Sequence, residues 1–125
     1  MVKLLERMNL TAENAPSDNF TYLISGSSTK PIFDRETHQQ KTVVYLTGSF
    51  KNTRGKIEEM DFVLNYGSQK ALKSAGFQDT DDLEGCSLQI VRKKVTFANK
   101  KVPGLRIEKV IDPSNKEYPV TYESN

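Results

Sequence analysis

The chain has no tryptophan, one cysteine and one histidine. With Cys86 alone, no internal disulfide can form and a metal site built on paired cysteines is excluded. With His38 alone, there is no histidine-rich metal site. No Gly-x-Ser-x-Gly elbow is present to expose a serine nucleophile. Residues 26–30 (Gly-Ser-Ser-Thr-Lys) lack the second glycine and the Gly-Lys-Ser/Thr ending of a phosphate loop. Long hydrophobic runs are missing too. The longest resemble Val43-Val44-Tyr45-Leu46, far short of the ~20 residues that span a bilayer. The start, Met1-Val-Lys-Leu-Leu-Glu-Arg7, has neither an apolar signal core nor a small-residue cleavage site. We read no secretion signal, and a cytoplasmic location is expected.

What is present suits one small domain. The 125 residues can bury one core, and hydrophobic residues at 36% with charged residues at 27% are compatible with a folded, somewhat polar chain. Six Phe and five Tyr can help fill a β core. Net charge is only +2, but it is unevenly spread. Between Arg92 and Lys109, seven basic residues stand against one acid, Glu108, giving +6 in eighteen residues and leaving −4 for the rest. That asymmetry points to a polyanionic partner.

Local patterns predict five strands and one helix. Residues 1–19 read as an irregular lead-in, with a short helical turn near 3–8. Residues 20–25, rich in aromatic and β-branched side chains, read as a strand closing at Gly26. Residues 26–40 read as a long polar connection. Residues 41–51 form the clearest strand, with Val44, Leu46 and Phe50 on one face and Val43, Tyr45, Thr47 and Ser49 on the other. Asn52-Thr-Arg-Gly55 is a turn, and 56–65 return with Met60, Phe62 and Leu64 inward and Glu59 and Asp61 outward. Residues 68–75 predict a short helix with Ala71, Leu72 and Ala75 as its apolar stripe. Residues 79–85 predict a turn capped by aspartates. Residues 87–97 predict a strand whose pattern breaks at Arg92-Lys93-Lys94, which suggests a bulge. After a turn at 98–101, residues 102–111 form the last strand, with Leu105 and Ile107 inward. Residues 112–125 read as a flexible polar tail.

Five strands with one helix between the third and fourth follow the order of an OB-fold barrel. The expected organisation is a lead-in over 1–19, an OB-like domain over 20–111 and a tail over 112–125.

Catalytic residue types are sparse, so binding is expected rather than catalysis, with no cofactor. His38 sits in a polar stretch. Cys86 opens a strand, which suits a small buried side chain. Glu58, Glu59 and Asp61 read as a solvated strand face. Single-stranded nucleic acid binding needs cations along a groove and aromatic faces for base stacking. Both are on hand. The expected contacts are Tyr45 and Phe97 for stacking and Lys51, Arg54, Lys56, Arg92, Lys93, Lys94, Lys100, Lys101 and Arg106 for phosphate. Phe33 and Tyr66 are further candidate aromatics. Arg92 and Lys94 are expected to serve binding without serving stability. Glu59 and Asp61 are expected near Tyr45, which would break up a uniformly positive groove.

Residues 62–110 carry short motifs: Phe62-Val-Leu-Asn65, Asp79-Thr-Asp-Asp-Leu-Glu-Gly85, Lys93-Lys-Val-Thr-Phe97 and Val102-Pro-Gly-Leu-Arg-Ile107. This succession resembles a group of small phage and mobile-element proteins of replication and recombination modules, which look like OB-type single-stranded DNA-binding proteins. Leu83 stands where that group usually has Trp, Cys86 where it has Lys, and Tyr66-Gly67 where it has Lys-Thr. Asn65, Asp81, Gly85, Gly104 and Arg106 keep the pattern. The resemblance implies single-stranded DNA as partner, with a replication or recombination protein as a further candidate; self-association of the chain is left open. The alternative expectation is an adaptor that recruits a recombinase or helicase through residues 26–40 or the tail.

Overall fold

A computed structural model describes residues 9–97 and 99–122; the helical turn expected near 3–8 lies outside them. The described residues form six strands: β1 (Asn19–Asp34), β2 (Gln39–Lys51), β3 (Ile57–Leu64), β4 (Ser87–Phe97), β5 (Lys100–Ile111) and β6 (Glu117–Pro119). One helix, α1 (Tyr66–Ser74), and a 3-10 turn over Thr80–Leu83 lie between β3 and β4. All strands join one antiparallel sheet in the order β3-β2-β1-β4-β5-β6. The sheet is open, with no closure between its outer strands, so the expected barrel is not formed by strand pairing.

β1 is the hub. Its first residues pair with β4 (Asn19 with Val91, Leu23 with Ser87), and from Leu23 onward it pairs with β2 out to Asp34 with Gln39. The shift falls at Ser25, the extra residue of a bulge between Ile24 and Gly26.

Alternation sets the core as expected. Tyr22, Leu46, Phe62, Leu64, Leu88, Ile90 and Ile107 are buried, with Ala71 and Leu72 of α1 packed on them. Tyr22 is wholly enclosed, and its hydroxyl donates to the Met60 carbonyl on β3 at 2.6 Å. Its ring passes over Gly48. A Cβ there would lie 2.7 Å from the ring and 2.2 Å from the Leu23 carbonyl oxygen, so only glycine fits.

Two expectations need correction. Residues 26–40 are not a loop: 26–34 continue β1, and only 35–38 form the turn to β2. Ladder hydrogen bonds hold this arm although Ser27, Ser28, Thr29, Lys30, Pro31 and Phe33 are all exposed. The last segment is not a free tail through 122. β6 pairs with β5, Val120 is buried, and the Tyr118 ring meets Phe77 edge-on at 5.4 Å. Tyr122 Oη accepts the Ile107 N–H at 3.0 Å and shares a 2.8 Å hydrogen bond with the buried Ser68 hydroxyl, linking β5 to α1. Over the described residues 9–18 the chain is irregular and docked. Leu10 is buried, and its N–H donates to the Asp61 carbonyl on the edge of β3 at 2.7 Å.

The bulge expected at Arg92 lies instead across the ladder in β5. Gln89 faces Lys109 while Ile90 faces Ile107, which leaves Glu108 as the extra residue.

Candidate nucleic-acid interface

β4 and β5 run on past Val91, the last rung shared with β1, as a two-stranded arm ending at Phe97 and Lys100. Six residues of strand carry it about 20 Å beyond that rung. Side chains on paired residues share a face, so the register sorts the basic residues. Arg92 and Lys94 lie with Leu105, Pro103 and Lys101 on one face; Lys93, Lys100 and Arg106 lie on the other. The arm is a ribbon with cations on both faces rather than one basic wall.

Those cations are not equivalent. Arg92 is committed to the lead-in. Its guanidinium pairs with the Asp18 carboxylate at 2.7 Å, and Nη1 donates to the Ala12 carbonyl at 2.9 Å. Arg106 lies over the Tyr122 ring at 4.6 Å, and Lys109 is ion-paired with Glu117. Lys93, Lys94, Lys100 and Lys101 are exposed toward the end of the arm. A shallow groove at its base is lined by Ala12, Glu13, Arg92, Lys93, Lys94 and Pro103. The side chain of Phe97 lies outside the described residues.

Lys51, Arg54 and Lys56 are exposed around the β2–β3 turn, where the Asn52 side chain accepts the N–H groups of Arg54 and Lys56. Ser49 is level with Leu23 and Val91 with Asn19, so this turn and the β4–β5 arm leave the same, N-terminal end of β1. The structure thus brings the two cation groups to one end of the sheet.

Tyr45 is not there. It is half-buried on the outer face, outside the core cluster, with Val63 across the ladder. Along that face the rungs run Tyr45–Val63, Thr47–Asp61, Ser49–Glu59 and Lys51–Ile57. The two acids therefore separate Tyr45 from the cationic turn, about 20 Å apart along β2. Phe33 is 56% exposed near the β1–β2 turn, with His38 edge-on at 6.5 Å, and Tyr66 is 76% exposed at the start of α1. Both aromatics also lie away from the cationic end.

Several residues of the family-like motifs have structural work. Asn65 caps α1, its side chain accepting the Ser68 N–H at 2.8 Å. Asp79 and Asp82 form a reciprocal capping box around the 3-10 turn. A Cβ on Gly104 would fall 2.8 Å from a Val95 methyl. Cys86 is buried, and burial first, then the Asp112 and Asp82 carboxylates, push its thiol pKa up. The sequence reading missed the Asp18 and Tyr122 partners, which no local pattern marks.

Comparison with protein-family models, with curated proteins and with solved structures finds no match to this chain.

Proposed function

We propose that this chain binds single-stranded DNA with little sequence preference, through an OB-type fold whose β4–β5 arm holds the phosphate backbone. The observation that carries the reading is the group of four exposed lysines, Lys93, Lys94, Lys100 and Lys101, on an arm that projects beyond the core. Lysines so placed can follow a flexible polyanion without burying their charge.

The OB reading is supported by the shared use of β1 by β2 and β4 and by the helix between β3 and β4. The reach of Tyr22 across Gly48 to Met60 fits it as well. Lys51, Arg54 and Lys56 extend the cationic end, and Tyr45 offers a stacking face farther along the sheet. The motif resemblance in 62–110 supports a role in phage or mobile-element replication and recombination, in the host cytoplasm, beside a replication or recombination protein. No helix among the described residues is long and apolar enough to cross a membrane.

Fluorescence titration with oligo-dT at two salt concentrations tests the reading. Binding should be tight at low salt and weaken steeply as salt rises. Replacing the four lysines by Gln should weaken binding at least about tenfold and flatten the salt dependence by up to about 0.7 log units per lysine. No binding at low salt, or binding insensitive to salt, overturns it.

A further inference from the structure

A cleft of about 770 Å³ opens between α1 and the β1–β2 arm. Its apolar lining comes from Val44, Leu64, Leu72, Phe77 and Leu83, of which Leu64, Leu72 and Leu83 are buried core residues. This lining is a fixed part of the core. The Gln69 amide beside it already donates to the Leu64 carbonyl at 2.9 Å, so the cleft offers apolar surface rather than an unmet polar group. Its mouth is cationic and aromatic. Tyr66 is exposed there, Lys70 Nζ lies 5.4 Å from the Tyr66 ring centroid, and Lys73 follows three residues on. The one acid in the lining, Asp79, spends its carboxylate on the Asp81 N–H and the capping box.

We infer that this cleft docks a short segment of a partner protein that carries a bulky apolar side chain flanked by acids. The apolar side chain would fill the space over Leu64 and Leu83, in a volume of the size that takes such groups. The acids would meet Lys70 and Lys73, and Tyr66 would close over the segment as an aromatic anchor. Charge complementarity selects the acidic flanks. A nucleic-acid strand fits less well, because the apolar lining beneath Tyr66 is mainly aliphatic and Phe77 already makes an edge contact with Tyr118, which leaves Tyr66 as the one exposed ring in the lining. Stacking needs open ring faces. The cleft is level with Thr29, Val44 and Leu64, toward the opposite end of β1 from the lysine arm. The inference therefore does not rest on the nucleic-acid reading, and it centres partner docking on α1 and the core beneath it, with Thr29 as the one lining residue from 26–40.

Selection of a random dodecapeptide library displayed on phage tests it. The full chain is the bait, with counter-selection on the Lys70→Gln, Lys73→Gln chain. Both lysines are exposed, and the Tm of the variant beside that of the parent checks that the fold is kept. Enriched peptides should carry Phe, Leu, Ile, Met or Trp beside two or more acids. A fluorescein-labelled synthetic copy should bind about fivefold more weakly to the double variant. It should shift the amide resonances of Val44 and α1 and stay bound when oligo-dT is added. No enrichment, enrichment without acids, unchanged affinity on the variant or displacement by oligo-dT overturns the inference. Oligo-dT binding on the same samples keeps the two readings separate: a chain that takes the peptide and ignores oligo-dT fails only the nucleic-acid proposal.

Discussion

Asp18 holds Arg92 in a clamp: one carboxylate oxygen lies 2.8 Å from Nε and 2.7 Å from Nη2, while the Arg92 N–H donates to the Asp18 carbonyl at 2.8 Å. With the bond to the Ala12 carbonyl, a single side chain fastens the lead-in to β4. Asp18 is largely exposed, so the ion pair alone contributes little; geometry and the two carbonyl contacts carry the clamp.

Arg92 should therefore serve stability, contrary to the expectation that pairs it with Lys94. Arg92→Ala should destabilise the fold by about 1–2 kcal/mol, read as a drop of several degrees in Tm by calorimetry. Lys94→Ala, at an exposed position, should leave Tm in place. Equal melting of Arg92→Ala and the parent would refute the clamp.

Tyr45 gives a different kind of prediction. It lies outside the core cluster, so Tyr45→Ala should lower Tm only slightly. If it stacks on a base, oligo-dT affinity should fall by about 1–3 kcal/mol with the salt dependence unchanged. The lysine substitutions should do the reverse and alter the salt dependence. An unchanged affinity would confine the interface to the cationic end of the sheet.

Legibility in the sequence followed burial. β2, β3 and β4 could be read because one face of each is buried, and Leu46, Phe62 and Leu88 mark it by alternation. Residues 26–34 could not. Neither face of Ser27-Ser28-Thr29-Lys30 is covered, so only the ladder to β2 makes them a strand, and hydropathy leaves no trace of that pairing. β6 escaped for a similar reason: it is three residues long and ends in Pro119. The same limit applied to the site. Charge density located the arm, but the partners that remove Arg92 from it are remote in sequence, with Asp18 lying 74 residues away.

Gly48 and Tyr22 should be inseparable. Gly48→Ala drives a methyl group into the Tyr22 ring and the Leu23 backbone, so it should destabilise by about 2–4 kcal/mol. Tyr22→Phe keeps the ring and leaves the Met60 carbonyl without its 2.6 Å donor, so about 1–2 kcal/mol is expected. Urea unfolding with unchanged m-values would measure both. A neutral Gly48→Ala would mean that the Tyr22 ring and the Leu23 carbonyl do not close over Gly48.

Asp112 ties the β5–β6 connection together and should make the fold acid-sensitive there. Its carboxylate accepts from the Ser114 hydroxyl at 2.6 Å, the Lys116 N–H at 2.9 Å, the Ser114 N–H at 2.9 Å and the Tyr118 hydroxyl at 3.1 Å. These bonds, the Ser114 hydroxyl first, hold its pKa below the usual carboxylate value, against a smaller opposing effect of desolvation. The bond to Asp112 in turn raises the Tyr118 pKa. A carboxyl whose pKa is lower folded than unfolded adds stability that is complete above its unfolded pKa and disappears as pH falls through its folded one. The Tm difference between the parent and Asp112→Asn should thus be full near about pH 6 and shrink below about pH 4, as the parent's carboxyl takes up its proton. The loss should appear first in β6, because Tyr118 and the turn at 112–116 depend on that one side chain. Hydrogen exchange at the Val120 amide, which donates to the Glu108 carbonyl at 3.0 Å, reports on it directly. A Tm difference that is flat from about pH 6 to about pH 3 would show that the carboxylate contributes nothing specific to its charge.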